Sequence, residues 1–233
     1  MVKTGVIAGT AFRRIGLSEE MNPLEVSTRF GKVTVLESDD IVFLPRHGVE
    51  DSIPPHRINH RANLSAFKEL GIPRIIGVNS VGSLKPEIPP KTLIIPHDYI
   101  NLWGVQTLFD HEIRHITPRL NEDLRQLILR VAKHHKIQVT GEGIYIQTRG
   151  PRLETRAEIR LLQHFGDIVG MTMANEATLA EELSIPYASI CSVDNYCHGI
   201  SEIPLKAEDI LRTAQSNMGR AKSLVLAIIE EVR

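Results

Sequence analysis

Cysteine, aromatic side chains and net charge are all scarce in this 233-residue sequence. It contains two cysteines, Cys191 and Cys197, and its aromatic content is 5%. Two thiols cannot form a framework of disulfides, so the pattern argues against a disulfide-stapled secreted domain. The formal net charge of -1 argues against a nucleic-acid-binding surface, because contact with a phosphate backbone normally needs a clear excess of basic residues.

Long apolar runs are also absent from the sequence. None approaches the roughly 18 to 20 apolar residues that a membrane-spanning helix requires. Residues 1–10 lead directly into a strand-like pattern, without the basic segment, apolar core and cleavage site of a signal peptide. We therefore expect a soluble, cytoplasmic protein that has neither nucleic acid nor a membrane as a partner.

Short runs rich in β-branched residues alternate with helical patterns along the chain. The strand-like runs cover residues 2–7, 32–36, 41–44, 74–78, 92–96, 143–147, 167–171 and 187–193. Helices are predicted over 58–71 and 121–136, and near 154–165, 174–184 and 206–232. Gly, Pro, Asn or Asp bounds each strand-like run, as is typical of strands. The alternation predicts an α/β fold, with a central mixed, twisted β-sheet flanked by helices, in a single domain spanning residues 1–233.

Polar residues follow several of the predicted strands. They are Gly9-Thr10, Arg46-His47, Asn79-Ser80, Met171-Thr172 and Asp194-Asn195-Tyr196. Ligands of open α/β sheets bind beyond the carboxyl ends of the strands. The set combines hydroxyls, an Arg, a His and amides, which predicts a phosphate pocket beside a second polar pocket.

Several of these residues have structural interpretations as well as functional ones. Arg46 could grip a phosphate through two parallel hydrogen bonds or could pair with an acidic residue. Glu154 and Glu176 each follow a predicted turn or strand at a helix start, where the helix dipole alone favours an acid. The segment GVIAGTAF lacks both GxGxxG and GxxxxGK[ST], so neither a dinucleotide site nor a P-loop is predicted.

The segment SVDNYCHGI places Asp194, Cys197 and His198 close together in sequence. A Cys–His hydrolase is disfavoured, because adjacent side chains on an extended chain point to opposite faces. A metal site is disfavoured too, since no second ligand cluster of recognisable spacing accompanies these residues. We predict no bound metal.

The segments described above resemble the trimeric purine nucleoside phosphorylases. The residues that carry the resemblance are GVIAGTAF, LPRHG, IPPHRINHRANLSAFKELGI, VNSVGSL, GPRLETRAEI, GMTMANEATLAEE and YASICSVDNY, in order from Gly5 to about Leu224. The most similar branch includes the methylthioadenosine and methylthioinosine phosphorylases. The resemblance implies reversible phosphorolysis of a purine nucleoside in a homotrimer or a dimer of trimers, with inorganic phosphate as co-substrate and no cofactor.

The same resemblance implies roles for individual residues. Phosphate would be bound by Thr10, Arg46, His47, Asn79, Ser80 and Thr172. Met171 and Glu176 would bind the ribose, together with His115 from a neighbouring subunit. Asn195, Glu154 and His47 would be the catalytic residues. The chain departs from the family pattern at Ala11, His60 and Leu153, and Leu153 would take the place of a Phe at the base.

Two positions bear on the choice of base. Glu154 and Asn195 stand where the adenine-cleaving branch has a Ser and an Asp. An ionised Glu can only accept hydrogen bonds, so it suits the N1–H of hypoxanthine or guanine and opposes the unprotonated N1 of adenine. Asn195 can donate to N7 or O6 of the departing base.

One further position bears on the sugar. Ala207, with Leu211 one turn on, replaces a His of the branch that binds an unmodified 5'-hydroxyl. These residues together predict 5'-methylthioinosine as the nucleoside. Inosine or guanosine, and 5'-methylthioadenosine, are the alternatives within the family. A hydrolytic nucleosidase and a non-catalytic nucleoside-binding protein are the alternatives outside it.

Overall fold

The computed structural model describes residues 3–9, Phe12, 21–202 and 207–233, without the side chain of Ala207. Ten strands form its sheet: β1 Thr4–Ala8, β2 Asn22–Thr28, β3 Gly31–Glu37, β4 Ile41–Pro45, β5 Ile75–Ser83, β6 Leu93–Ile94, β7 Asp98–Ile100, β8 Ile144–Gln147, β9 Ile168–Gly170 and β10 Tyr187–Tyr196. The helices are α1 His60–Glu69, α2 Glu122–His134, α3 Arg156–Leu162, α4 Met173–Glu182 and α5 Ala207–Glu231, and a 3₁₀ turn spans Pro55–Arg57.

Parallel and antiparallel pairs coexist in one sheet. Its order is β2-β3-β4-β1-β5-β9-β8-β7, and β10 pairs with both β5 and β6. β1 runs parallel to β4 and β5, and β10 runs parallel to β5. The β2–β3 hairpin and the β5–β9 pair are antiparallel. The predicted α/β fold with a mixed sheet is therefore confirmed.

The central strands are buried and largely apolar because helices cover both faces of the sheet. Every residue of β1 and β4 is buried, as expected for strands inside a covered parallel sheet. Ile7 packs with Phe67 of α1 and Leu179 of α4 on one face. Its neighbour Val6 packs with residues of α2 and α5 on the other face. With both faces covered, the ends of the strands are the part of the sheet left for a ligand.

Local capping sets the starts of three helices. The side chains of Asn59 and Asn121 accept hydrogen bonds from backbone amides in the first turns of α1 and α2. Thr155 and Glu158 form a reciprocal capping box at the start of α3. Each satisfies amides that the first helical turn leaves unpaired. Among the helices of the described residues, none is both long and apolar enough to cross a membrane.

Candidate active site

A cavity of about 460 Å³ lies where the ends of β1, β4, β5, β9 and β10 meet α5. Its wall includes Gly9, Arg46, His47, Ser80, Gly82, Leu153, Glu154, Met171, Thr172, Asn195, Cys197, His198 and Leu211. The strand-end residues that the sequence singled out thus surround one cavity, with the exceptions described below. We call Arg46, His47, Ser80 and Thr172 the hydroxyl end, and Leu153, Glu154, Asn195, Cys197 and His198 the Glu154 end.

Most of the N–H groups of Arg46 donate hydrogen bonds to other atoms of the protein. Its Nε and Nη2 donate to the two carboxylate oxygens of Glu176, and Nη2 and Nη1 also donate to the carbonyls of Ile7 and Val78. A guanidinium has five N–H groups, and these contacts use four of them. The remaining one is on Nη1. This nitrogen lies 3.7 Å from the point that a Cβ would occupy at Gly9, on the cavity wall. These contacts leave no second N–H for a two-pronged grip, and the expected contact of Arg46 with phosphate stays a prediction. Arg46 can offer an anion one hydrogen bond.

Glu176 lies outside the cavity. Its side chain is fully buried, and Oε2 accepts a second hydrogen bond from the hydroxyl of Tyr187 at 2.8 Å. In this geometry Glu176 neutralises the buried Arg46, fixes its orientation and does not line the cavity. Its expected contact with the ribose stays a prediction.

The ring of His47 is held in one tautomer. Its Nδ1 lies 2.7 Å from the carbonyl oxygen of Ile53, and a carbonyl can only accept, so Nδ1 carries the hydrogen. Burial lowers the pKa of His47 below its ordinary value, with the charge of Arg46 acting in the same direction. The neutral ring therefore keeps a lone pair on Nε2, which lies 3.6 Å from the Cβ position of Gly9. This nitrogen suits the protonated oxygen of a hydrogen phosphate.

Asn79 supports the cavity wall without lining it. It is fully buried, its Nδ2 donates to Thr172 Oγ1 at 2.9 Å, and its Oδ1 accepts from Ser189 at 2.7 Å. Because Thr172 accepts from Asn79, its own hydroxyl hydrogen is free to point at a ligand. Asn79 thus lies behind Thr172 and orients its hydroxyl, and the expected contact of Asn79 with phosphate stays a prediction.

The first amides of α4 are occupied by side chains of β8. The hydroxyl of Tyr145 accepts from the amides of Thr172 and Met173, and Gln147 Oε1 accepts from those of Ala174 and Asn175. A helix N-terminus can bind an anion only through amides that remain unpaired. An anion in this cavity would therefore depend on side chains more than on α4.

The Glu154 end is built from the loop that follows β8, from the end of β10 and from the residues directly after β10. Glu154 Oε1 accepts a hydrogen bond of 2.6 Å from Thr148, and Asn195 Nδ2 donates to the carbonyl of Tyr196 at 2.9 Å. Gly82 is required beside them, because a Cβ there would lie 2.6 Å from Cys197 Sγ. The second carboxylate oxygen of Glu154 has no partner among the described residues and is free to accept from a ligand.

Cys197 and His198 do not form a nucleophile and its base. Burial raises the pKa of the Cys197 thiol far above its ordinary value, which keeps it protonated at neutral pH. His198 Nε2 instead accepts from Arg156 Nε at 3.1 Å. Among the described residues, no group of three or more His, Cys, Asp or Glu side chains is arranged to hold a metal ion.

One wall of the cavity is apolar and comes from α5. It consists of Ile210, Leu211, Ala214 and Met218. Of these residues only Leu211 was predicted, although the spacing of 210, 214 and 218 by four residues places them on one helix face. The predicted phosphate ligand Thr10, with Ala11, lies outside the described residues, as does the side chain of Ala207.

Two predicted positions lie away from the cavity wall. His115 is exposed in the segment between β7 and α2, so its proposed contact with a neighbouring subunit stays a prediction. His60 is buried at the start of α1, and burial lowers its pKa to about 4. Its Nδ1 has no hydrogen-bond partner among the described residues.

Comparison with known proteins identifies the family. Residues 3–230 match the family model described as "Phosphorylase superfamily". The chain belongs to this superfamily. It is 39% identical to a probable 6-oxopurine nucleoside phosphorylase of Archaeoglobus fulgidus, over 98% of this chain and 96% of the relative. It is 36% identical to a probable S-methyl-5'-thioinosine phosphorylase of Methanocaldococcus jannaschii, over 97% of this chain and 90% of the relative.

Among solved structures, this phosphorylase chain is similar to methylthioadenosine phosphorylase from Schistosoma mansoni in complex with adenine. The TM-score is 0.89 at 27% identity, covering 100% of this chain and 92% of the other. Relatives named for 6-oxopurine and for 6-aminopurine substrates thus share this fold.

Proposed function

We propose that this chain catalyses the phosphate-dependent, reversible cleavage of a 6-oxopurine nucleoside, with 5'-methylthioinosine as the preferred substrate. The products are hypoxanthine and 5-methylthioribose 1-phosphate. The observation that carries the proposal is one cavity that joins a hydroxyl end suited to an anion with Glu154 and Asn195 at the other end. The relatives from Archaeoglobus fulgidus and Methanocaldococcus jannaschii are named for substrates of this class.

At the hydroxyl end, phosphate would receive hydrogen bonds from Thr172, Ser80 and the remaining Nη1–H of Arg46, and would donate its own hydrogen to His47 Nε2. Thr10 completes this set in the proposal. The buried partners behind these groups hold them in place before phosphate arrives. Such preorganised positioning lowers the barrier to attack on C1' of the sugar.

At the Glu154 end, the free carboxylate oxygen would accept the N1–H of a 6-oxopurine. Adenine carries no hydrogen on N1, so the same oxygen would face a lone pair and be left mispaired. Sites built to hydrogen-bond one substrate can reject an analogue that lacks the donor by factors of up to ~10⁴. Asn195 would donate to N7 or O6 as negative charge develops on the base, and Leu153 would pack against the ring.

At the sugar, Met171 would pack against the ribose, and the apolar wall of α5 would contact the 5' substituent. Contact with this wall would stabilise a bound methylthio group, because it removes apolar surface from water. A 5'-hydroxyl in the same place would lose hydrogen bonds to water without replacement. The wall therefore favours 5'-methylthioinosine over inosine. Leu211 and Ala207 are its proposed specificity-determining residues.

The enzyme acts as a homotrimer or a dimer of trimers in this proposal, and in the cytoplasm. Support comes from the segment between β7 and α2, where Leu102, Trp103, Val105 and Ile113 are exposed, Ile113 to 91%. Clustered exposed apolar side chains mark surfaces that other chains cover. His115 lies in this same segment and would complete the sugar site of a neighbouring subunit.

Base release from 5'-methylthioinosine, measured with and without phosphate, tests the reaction. We expect release to depend on phosphate, and equal release without it would indicate a hydrolytic nucleosidase. A kcat/KM panel with 5'-methylthioinosine, 5'-methylthioadenosine, inosine, guanosine and adenosine then tests the substrate. A preference for 5'-methylthioadenosine would contradict the role of Glu154, and a preference for inosine would contradict the role of the α5 wall.

A further inference from the structure

β10 contains one residue more than β5 at the edge of the cavity, and that residue is Asp194. The two strands pair in register as far as Val193 and Val81, after which Asn195 pairs with Gly82. A β-bulge of this kind leaves one residue unpaired and re-aims its neighbours. Asp194 contacts the cavity-lining Ser80 while Asn195 lines the cavity itself, so the bulge brings two consecutive side chains to the same side of the sheet.

The carboxylate of Asp194 is buried and joins serines of the two strands. Its Oδ2 accepts a hydrogen bond from Ser80 and its Oδ1 accepts one from Ser192, and the residue is 2% exposed. Burial raises the pKa of Asp194 to about 6, against the lowering effect of the two hydrogen bonds. Within the described part of the chain, no basic side chain forms an ion pair with it.

Asn217 fixes the direction of the hydrogen bond between Ser192 and Asp194. Asn217 Nδ2, on α5, donates to Ser192 Oγ at 2.7 Å. An amide NH₂ can only donate, so Ser192 accepts there and must direct its own hydrogen to Oδ1 of Asp194. Oδ1 is therefore always an acceptor, and a proton added to this carboxyl would reside on Oδ2, facing Ser80.

The charge of Asp194 decides what Ser80 can offer to the cavity. A serine hydroxyl has one hydrogen, and with Asp194 ionised that hydrogen is committed to Oδ2. Ser80 then presents only lone pairs to an anion, with a buried negative charge directly behind them. With Oδ2 protonated, Asp194 donates to Ser80, and the serine hydrogen becomes free to point into the cavity.

We propose, building on the phosphate site proposed above, that Asp194 takes up one proton on Oδ2 when the phosphate dianion binds, so that Ser80 redirects its hydrogen bond from Asp194 to the anion. The proton comes from solvent and returns to it when the anion leaves. No covalent bond changes in this step. Asp194 is thus a positioning residue that acts on the ligand through Ser80.

Other titratable groups near this network must be separated from Asp194. On the cavity wall they are His47, Glu154, Cys197, His198 and Arg46, which is paired with the buried Glu176; on β10 they are Tyr187, Cys191 and Tyr196; β5 and β6 contribute none. On α5, Arg220 contacts Asn217 Oδ1 at 3.4 Å and the carbonyls of Lys91 and Gln138. An isosteric change of Asp194 leaves all of these in place.

Asp194→Asn makes that change. Its amide nitrogen can donate to Ser80 while its oxygen accepts from Ser192, which reproduces the protonated carboxyl permanently. Sulfate is the probe, because it is a dianion that does not titrate near neutral pH. Calorimetric titration with sulfate in two buffers of different ionisation enthalpy, at pH 7.5, gives the number of protons taken up.

We expect the wild type to take up close to one proton more than Asp194→Asn. The fall in sulfate affinity between pH 7 and pH 8 should be up to about tenfold larger in the wild type than in the variant. Binding that requires one added proton weakens by this factor for each pH unit above the pKa of the group that takes up the proton. Asp123→Asn, on the exposed face of α2, changes the net charge equally and should behave like the wild type. Equal proton uptake in wild type and Asp194→Asn would overturn the proposal.

A measurement on the wild type alone guards against a variant that folds poorly. Phosphate-induced infrared difference spectra should show the carbonyl band of a protonated carboxylic acid, and absence of that band would also overturn the proposal. Failure of the proposed function is distinguishable from either result. A hydrolytic nucleosidase would release base without phosphate, a non-catalytic nucleoside-binding protein would release none, and neither would bind sulfate or phosphate in competition with substrate.

Discussion

The two ends of the cavity are held in different ways. At the hydroxyl end, Arg46, Thr172 and Ser80 each have a buried partner on another strand or helix, respectively Glu176, Asn79 and Asp194. At the Glu154 end, Glu154 is held by Thr148 six residues away, and Asn195 by the next carbonyl in the chain. At the first end Arg46, Thr172 and Ser80 are thus held by segments distant in the chain, whereas at the second end Glu154 and Asn195, unlike His198, are held by near neighbours in sequence. Substitutions at the first should therefore affect stability, and substitutions at the second should affect substrate choice.

The largest expected effect follows from breaking the Arg46–Glu176 pair. Removing one partner of a buried ion pair leaves an uncompensated charge and costs about 3–5 kcal/mol. We expect Glu176→Ala to lower the free energy of unfolding by this amount, measured by urea denaturation. Glu181→Ala, on the same helix α4, is the matched control, since Glu181 forms an exposed pair with Arg119 at 3.4 Å and should contribute less than about 1 kcal/mol. Equal losses in both variants would contradict this view of the hydroxyl end.

The next effect is the pH dependence of the free energy of unfolding that Asp194, at the same end of the cavity, should cause. The pKa of Asp194 is raised to about 6 in the folded protein from an ordinary value of 3.8, so the native state favours the neutral carboxyl. Its stabilising contribution is present below pH 4 and is lost as pH rises through 6. A shift of about two pH units corresponds to roughly 3 kcal/mol.

Asp194→Asn does not titrate, so its stability relative to the wild type should increase by up to this amount between pH 4 and pH 7. Denaturant titrations of both proteins across this range measure the difference. His47 and His60 titrate in both proteins and cancel in the comparison. A constant difference across the range would show that Asp194 is ionised as easily in the folded protein as in the unfolded chain.

The third effect belongs to the Glu154 end. Glu154→Gln removes the charge of the proposed N1–H acceptor, and a hydrogen bond to a charged group contributes about 1.5–3 kcal/mol. We expect kcat/KM for 5'-methylthioinosine to fall by about 10- to 100-fold, with a much smaller loss for 5'-methylthioadenosine. The free energy of unfolding should stay nearly unchanged. Equal losses on both substrates would indicate that Glu154 acts on something other than the base.

Asn195→Asp tests the other side of the base. It places a carboxyl where the adenine-cleaving branch has one, so the ratio of 6-aminopurine to 6-oxopurine turnover should rise, by about tenfold if one hydrogen bond changes partner. The two nucleosides measured on the same preparation control for loss of folded protein. An unchanged ratio would count against contact between Asn195 and the base.

Periodicity predicted most of the fold, and its misses have a physical reason. All five described helices coincide with predicted helical segments; α4 is buried on all sides over residues 173–180. β2 and β7 were missed, since both are edge strands that pair with one neighbour each, β3 and β8, and neither is fully buried. An edge strand needs neither a continuous apolar run nor strict alternation, so its sequence carries little signal.

In the site, the sequence pointed to residues at strand ends but could not reveal their partners. Glu176 is 130 positions from Arg46 in the chain, and no local pattern announces that the two meet. The bulge at Asp194 has no local sequence signal either, because regular alternation would place the side chains of Asp194 and Asn195 on opposite faces of the sheet. What escaped prediction is thus pairing between distant segments, which depends on the register of the folded sheet.

The smallest effect concerns the apolar wall of α5, which is the part of the cavity least tied to either end. Leu211 is 61% exposed, so it offers only part of its surface to a 5' substituent. Replacing it by Gln keeps the length of the side chain and the helix propensity while removing apolar contact. The loss should be about 1 kcal/mol, or roughly a fivefold fall in the preference for 5'-methylthioinosine over inosine.

Leu226→Gln is the control for that substitution, because Leu226 lies on the same helix, is 40% exposed and does not line the cavity. The ratio of kcat/KM for the two nucleosides should be unchanged in this variant. If Leu211→Gln also leaves the ratio unchanged, Leu211 does not contact the 5' substituent, and a residue of a neighbouring subunit becomes a candidate for the choice between methylthio and hydroxyl groups. In that case His115→Ala should change the ratio instead, which would move the sugar specificity from α5 to the subunit interface.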